Sequence, residues 1–87
     1  MSNFVRHSYK LFVGNLPWTV GQKELQTYFS KFGHVATSAI VYDKQLGFSK
    51  GYGFVTFSSS DAYNSACNQN IHFLEGRVLT VTEANNQ

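Results

Sequence analysis

The chain has 87 residues, of which 43% are hydrophobic and 16% aromatic, and it carries a formal net charge of +2. This length suits one small domain and this composition excludes a disordered chain, while so small a charge gives little attraction toward polyanions. One cysteine excludes an internal disulfide, three dispersed histidines give no zinc-ligand spacing, and the absence of a long apolar run excludes a membrane-spanning helix.

The first half of the chain predicts a strand followed by a helix. Residues 9–13 have the composition of a strand, and residues 14–18 contain the Gly, Asn and Pro of a turn. Thr19 and Gln22 have the spacing of a capping box, so we expect a helix to begin after Thr19. The apolar stripe of this helix and the glycine that ends it are Leu25, Phe29, Phe32 and Gly33.

The second half predicts two strands, a second helix and a last strand. The strands are expected at 35–42, 50–57 and 78–83. Serines and an aspartate at 58–61 supply N-cap residues for the helix, and the segment 71–74 is expected to form a short extra strand or a hairpin. The apolar face of this helix is expected to contain Ala62, Tyr63, Ala66 and a buried Cys67.

The element order β-α-β-β-α-β predicts an α+β, ferredoxin-like fold. Two split βαβ halves form a four-stranded antiparallel sheet with both helices on one face. We expect this domain to span residues 9–84, with a flexible N-terminus at 1–8 and a C-terminal tail at 85–87. The other face of the sheet is open, so large apolar side chains on it need an explanation other than the core.

Three aromatic side chains are predicted to lie together on the open face. Strand alternation turns Tyr52 and Phe54 outward on the third strand and Phe12 outward on the first. The first and third strands are central neighbours in this fold, and Lys10 and Lys50 flank the rings. Unstacked bases stack on exposed rings and lysines bind phosphates, so the pattern predicts a site for single-stranded nucleic acid.

Further contacts are expected around these rings from the turn and from the last strand. The candidates are Asn15, Arg77, Thr80, Thr82 and Glu83. Asn15 is expected to donate hydrogen bonds, with a sugar or base edge as one acceptor, and Arg77 to bind phosphate or to support the loop at 43–49. Thr80 and Thr82 are expected to face the rings, as is Val78, and Glu83 follows along the same edge.

Two other large side chains lie in predicted loops. Phe48 is expected either to cover the nucleic acid or to anchor the loop that contains it, and Trp18 is expected to be structural. No Ser/His/Asp or Cys/His arrangement is supported by the predicted fold, and the five acidic residues are dispersed. The sequence therefore predicts a binding protein that is not an enzyme and needs no cofactor.

Two segments resemble the signatures of the RNA-recognition-motif family. Residues 50–57, Lys-Gly-Tyr-Gly-Phe-Val-Thr-Phe, fit the longer RNP signature at every position, and residues 11–16, Leu-Phe-Val-Gly-Asn-Leu, fit the shorter one. The resemblance covers about residues 9–84, nearly the whole chain. It implies the fold described above and the binding of single-stranded RNA.

Other segments resemble a narrower animal family, the mitochondrial stem-loop-interacting RNA-binding proteins. The matching segments are 17–19, 32–35, 43–48, 57–59 and 72–76. The resemblance implies a mitochondrial protein that associates with a leucine-rich pentatricopeptide-repeat protein and protects messenger RNA. The first ten residues, with Arg6 and Lys10 and no acid, fit a weak import signal or an ordinary flexible terminus, so nucleus and cytoplasm stay as alternatives.

The sequence thus predicts a monomeric single-stranded RNA-binding protein that regulates or stabilises messenger RNA after transcription. Two alternatives stay open. In the first, the sheet and its rings dock another polypeptide or a terminal segment of the chain. In the second, the ligand is single-stranded DNA, which lacks the 2′-hydroxyl that distinguishes RNA.

Overall fold

The structure, a computed structural model, describes residues 9–84 of the chain. Its strands are β1 (Tyr9–Gly14), β2 (Val35–Tyr42), β3 (Ser49–Phe57), β4 (His72–Leu74) and β5 (Arg77–Glu83). Its helices are α1 (Gln22–Phe29), which a 3₁₀ turn at Ser30–Phe32 follows, and α2 (Ser60–Asn68). Neither of these helices is long and apolar enough to cross a membrane. The predicted flexible N-terminus at 1–8 and tail at 85–87 lie outside the described residues.

All neighbouring strands of the sheet are antiparallel, in the order β2-β3-β1-β5-β4. The predicted α+β, ferredoxin-like element order is confirmed, but the sheet has five strands instead of four. The additional strand β4 forms in the 71–74 segment, where the sequence left strand and hairpin open. Glu75 and Gly76 join β4 to β5 with φ angles of 50° and 82°. Positive φ at both central residues is typical of a two-residue β-turn whose backbone twist matches the right-handed twist of the flanking strands. This turn therefore closes a regular β-hairpin.

The start of α1 differs from the prediction. The helix begins at Gln22 rather than directly after Thr19, and the Glu24 carboxylate accepts the backbone N–H of Gly21 at 3.0 Å. Residues 17–20 form a turn instead, closed by the Val20 N–H on the Pro17 carbonyl at 3.0 Å. The Thr19 hydroxyl donates to the Glu75 carboxylate at 2.5 Å. The predicted capping box of Thr19 and Gln22 is therefore wrong, because a contact with the distant hairpin engages Thr19.

One face of the sheet packs against both helices and forms the core. The strands contribute fully buried side chains at alternate positions, as the period of a strand requires. They include Leu11, Val13 and Val55, each 0% exposed. The predicted stripe of the first helix is confirmed at Leu25 and Phe29, which are buried, and Phe32 packs half-buried against the same cluster from the 3₁₀ turn. Each fully buried side chain of this kind stabilises the fold by about 1.5–3 kcal/mol.

The second helix buries a narrower face than predicted. Ser59 is its N-cap, with the hydroxyl accepting the Ala62 N–H at 3.2 Å, as the serine-rich segment predicted. The buried residues are Ala62, Tyr63 and Ala66. The prediction that Cys67 is buried is wrong, since this side chain is exposed in the last turn. Tyr63 at the rim of the face reaches the ring of Tyr9, with centroids 6.0 Å apart, whereas cysteine has too short a side chain to reach inward from the rim.

His72 is a buried polar residue that the sequence did not single out. Its Nε2 lies 2.9 Å from the Ala66 carbonyl and its Nδ1 lies 2.9 Å from the Tyr28 hydroxyl. A carbonyl only accepts, so Nε2 carries the proton and donates, and Nδ1 accepts from Tyr28. Burial lowers the pKa of His72, and the Lys31 charge lowers it further, while the bond to Ala66 opposes them. These hydrogen bonds fasten β4 to both helices.

Candidate nucleic-acid interface

The sheet register turns three aromatic side chains away from the helices. Phe12 of β1 lies directly opposite Phe54 of β3, and Gly14 lies opposite Tyr52. Their neighbours Leu11, Val13 and Val55 are buried on the helix side. Cross-strand partners share a face, so Phe12, Tyr52 and Phe54 occupy the other face together, as the alternation predicted.

These three side chains form what we call the ring platform. The ring centroids of Phe12 and Tyr52 are 5.5 Å apart, those of Phe12 and Phe54 are 5.8 Å apart, and those of Tyr52 and Phe54 are 6.4 Å apart. The last two pairs meet edge to face, an arrangement that ring quadrupoles favour. Each side chain is half-buried, because the rings cover part of one another. The platform is thus ordered by its own contacts.

Two glycines shape the backbone under the platform. A Cβ atom at Gly53 would lie 2.2 Å from the Ala39 carbonyl oxygen, so a side chain there would force β2 and β3 apart. A Cβ atom at Gly14 would lie 2.9 Å from the Phe12 ring, so Gly14 leaves room for that ring to lie along the strand. The absent side chains therefore fix the spacing between the strands and the inclination of the Phe12 ring.

Both predicted lysines lie beside the platform. The Lys10 Nζ lies 4.9 Å from the centroid of the Phe54 ring, a cation–π distance. Lys50 is exposed at the other end of β3 from that contact, two residues before Tyr52. Cations at two margins of an apolar surface suit a ligand whose bases stack on the rings and whose phosphates lie at the edges.

Next to the platform is an open cavity of about 460 Å³, which we call the basic basin. Its lining residues are Phe12, Gly14, Asn15, Leu16, Lys50, Gly51, Tyr52, Arg77 and Thr80. Two of these residues, Lys50 and Arg77, are cationic and none is acidic. The basin therefore offers polar and cationic groups directly beside two platform rings.

Asn15 and Arg77 contact each other at the wall of the basin. Asn15 has a φ of 60°, and its Nδ2 donates to the Val78 carbonyl at 2.7 Å while its Oδ1 accepts from Arg77 Nη1 at 3.4 Å. Asn15 Nδ2 thus uses one of its two protons within the protein, and its contact with a sugar or base edge through the other stays a prediction. Among the described residues, the hydrogen bond of the Arg77 side chain goes to Asn15 in the β1 turn and not to the loop at 43–49.

The three candidates on β5 separate into two groups. Thr82 lies opposite Phe12 and Thr80 lies opposite Gly14, so both threonines share the platform face. Glu83 lies opposite Leu11, which is buried on the helix side. The register therefore puts Glu83 on the other face, away from the site residues with which the sequence grouped it.

The two large side chains in the loops, Trp18 and Phe48, are both exposed. Trp18, expected to be structural, is 78% exposed. Phe48 is 65% exposed, and the loop that contains it is ordered by Asp43, whose carboxylate accepts the N–H groups of Gln45 and Leu46 at 2.9 and 2.8 Å. Phe48 is thus not the anchor of its loop, because an aspartate turn serves that purpose.

Sequence reasoning missed one aromatic residue on the platform side. Phe73 of β4 lies opposite Val78 of β5, and Val78 is on the platform face as predicted. A buried His72 beside an exposed Phe73 is the alternation of a strand, but the burial of His72 is visible only in the structure. Phe73 was overlooked because three residues are too few for a periodic pattern to stand out.

Comparisons with known proteins identify the relatives of this chain. A sequence model of the family described as the RNA recognition motif matches residues 11–80. Glycine-rich RNA-binding protein 8 of Arabidopsis thaliana is 46% identical over 77 residues, which make up 87% of this chain and 46% of that protein. The chain thus spans about half the length of this plant relative. The mitochondrial SRA stem-loop-interacting RNA-binding protein of Bos taurus is 40% identical over 80% of this chain and 63% of its own length.

Solved structures agree with these matches. The RNA15 RRM with bound RNA (GU) superimposes with a TM-score of 0.78 at 29% identity, over 91% of this chain and 85% of that one. A Sxl-lethal protein/RNA complex gives a TM-score of 0.79 at 30% identity, over 92% of this chain and 48% of that one. Both resemblances that the sequence indicated, to the broad family and to the narrower animal one, are confirmed by these comparisons.

Proposed function

The chain belongs to the RNA recognition motif family, and from this membership and its site we propose that it binds single-stranded RNA. The observation that carries the proposal is the ring platform on the sheet face opposite the helices, with a lysine at each of two margins. Every base has a flat face that can stack on a ring, and a duplex cannot use the platform because its bases are already stacked. Relatives named as RNA-binding proteins and similar domains solved with RNA support this reading.

Each side chain has a proposed role in holding two to four nucleotides. Bases stack on Phe12, Tyr52 and Phe54. Lys10 and Lys50 bind phosphates, and Arg77 does the same from the basic basin. Thr80 and Thr82 donate or accept hydrogen bonds at base edges beside the platform. Glu83 is left without a base contact, because it points to the other face.

The affinity of this single domain is expected to be modest. Each stacked base contributes about 1–3 kcal/mol, and ordering the RNA strand subtracts from the sum. A dissociation constant near micromolar corresponds to about 8 kcal/mol, which two or three stacks and a few phosphate contacts can supply. Such binding suits a protein that receives further affinity or direction from a partner.

The cellular role we propose is the regulation or stabilisation of messenger RNA, with the chain acting as a binding protein and not as an enzyme. The name of the bovine relative supports a mitochondrial location, with nucleus and cytoplasm as the alternatives. In that compartment a leucine-rich pentatricopeptide-repeat protein is the proposed partner. Imaging of the tagged protein tests the location, and a nuclear signal without a mitochondrial one would contradict it.

The direct test of RNA binding is a chemical-shift titration of the full chain with single-stranded RNA of random sequence. We expect the largest changes at the platform residues and along β5, and changes confined to the helices would refute the site. A Tyr52→Ser, Phe54→Ser variant should keep its circular dichroism spectrum and lose at least about tenfold in RNA affinity, since two stacks are removed.

Competition with DNA of the same sequence distinguishes an RNA ligand from single-stranded DNA. A native protein that binds no RNA but retains a polypeptide through the sheet would favour the docking alternative.

A further inference from the structure

We propose that the β4–β5 hairpin carries an additional base-stacking site, built on Phe73 and Val78, which continues the RNA path beyond the ring platform. This inference rests on the proposed RNA binding and adds a position to it. Phe73 and Val78 are cross-strand partners and are 58% and 50% exposed. An aromatic residue directly opposite a β-branched one packs against it, so the Val78 side chain supports the ring of Phe73.

The orientation of this pair follows from the register of the hairpin. His72 and Leu79, which are also partners, are 2% and 6% exposed and lie among the core residues. The next position along each strand must face the other way, which turns Phe73 and Val78 to the side of the sheet opposite the helices. Thr80, two residues after Val78, shares that side with the platform.

The basic basin lies between the pair and the platform. Thr80 and Arg77, on either side of Val78 in sequence, both line it, and so do the platform residues Phe12 and Tyr52. From strand spacing and residue rise, Phe73 lies roughly 15 Å from Phe12. RNA that reaches Phe73 therefore extends beyond the nucleotides on the platform, and its phosphates pass the cationic side chains of the basin.

The charges of this face favour a polyanion over an acidic or neutral polypeptide. Among the described strand residues that point away from the helices, Lys10 and Lys50 are the only charged ones, and Arg77 adds a third cation from the basin wall. The carboxylate nearest to Phe73 along the hairpin is Glu75, and it accepts the Thr19 hydroxyl. The apolar pair is thus continuous with a cationic path, as the bases and phosphates of one strand require.

The test compares RNAs of two lengths on the full chain. Fluorescent single-stranded RNAs of random sequence, four and ten nucleotides long, are titrated with the native protein, Phe73→Ser and Phe73→Tyr. We expect Phe73→Ser to lose at least about fivefold in affinity for the longer RNA and to keep its affinity for the shorter one. Phe73→Tyr keeps a ring and should bind both as the native protein does. Thermal unfolding of each variant checks that the substitution at the exposed position 73 leaves the fold intact.

Different results identify which proposal fails. If the native protein binds both RNAs and Phe73→Ser binds the longer one equally well, the hairpin site is refuted while RNA binding stands. An equal loss for both lengths also refutes it, because a separate position should not affect RNA that covers the platform alone. If the native protein binds neither RNA, the proposed function itself fails and this inference fails with it.

Discussion

At the scale of single residues, the ring platform depends on a position that has no side chain. Gly53 lies between Tyr52 and Phe54. Only glycine fits there, because any Cβ atom would collide with the Ala39 carbonyl on the neighbouring strand. The sequence did not identify the Ala39 carbonyl as the neighbour of Gly53, because a local pattern does not give the register in which two strands pair.

Gly53→Ala is expected to destabilise the fold by about 1–3 kcal/mol, because its Cβ has no space against a backbone atom that cannot move alone. Urea unfolding of both proteins measures the difference. Gly21→Ala is a matched control, since the Cβ there would meet only the end of the Glu24 side chain, at 3.1 Å. It should lose less stability than Gly53→Ala, and equal losses would contradict the steric explanation.

A second residue-scale prediction concerns His72, whose pKa in the folded protein is lowered by burial and by Lys31. Unfolded histidine has a pKa of about 6.5, so on acidification the unfolded chain takes up this proton before the folded one. The contribution of His72 to the free energy of unfolding should be constant above about pH 6.5. The free energy of unfolding should then fall as the pH decreases below that value. Urea midpoints measured between neutral pH and pH 5 test the slope. His72→Phe should flatten this slope.

At the scale of elements, the sequence predicted the order and type of six elements because their patterns are long enough to repeat. It placed the α1 start too early, since Thr19 has the chemistry of a cap but is engaged by Glu75 from the hairpin. It left β4 undecided because only three residues form it. The first failure lies where a contact between distant parts of the chain overrides local preference, and the second where an element is too short to show a pattern.

Asn15 is the clearest such contact between elements. After Gly14 the main chain of β1 turns away from β5. The side-chain amide of Asn15 then donates to the Val78 carbonyl, in place of a backbone N–H of a paired strand. Asn15→Gly removes this bond but keeps the positive φ, so it should destabilise by about 1 kcal/mol, while Asn15→Ala adds backbone strain and should lose more. Hydrogen exchange at Leu79 and Thr80 should accelerate in both variants. Unchanged exchange there would show that Asn15 does not hold β5.

At the scale of the whole molecule, the assignment of faces was predictable and the extent of the site was not. Alternation along β1 and β3 identified the platform, because period two fixes the side to which each residue points. Glu83 was grouped with it from its position along the chain, and the register then put it on the other face. Phe73 was missed because it becomes a neighbour of the site only when the hairpin closes.

The small number of proposed phosphate contacts predicts weak salt dependence of RNA binding. Two or three phosphate contacts correspond to a slope of roughly −1.4 to −2.1 in a plot of log affinity against log salt. Lys50→Gln should make that slope shallower by about 0.7, since one contact is lost. Lys23→Gln removes the same charge from α1 on the opposite side and should leave the slope as it is. Equal slopes for all three proteins would mean that Lys50 binds no phosphate.

The edge-to-face packing of the platform rings has a consequence for the transcripts that the protein can recognise. Because the rings already support one another, binding requires little rearrangement of the protein, and the loss of freedom falls mainly on the RNA. A target held in a hairpin must first melt, and each nucleic-acid base-pair step resists melting by about 1–2 kcal/mol. A few such steps outweigh a micromolar interaction, so occupancy should follow the stretches of an RNA that are unpaired, whatever their sequence.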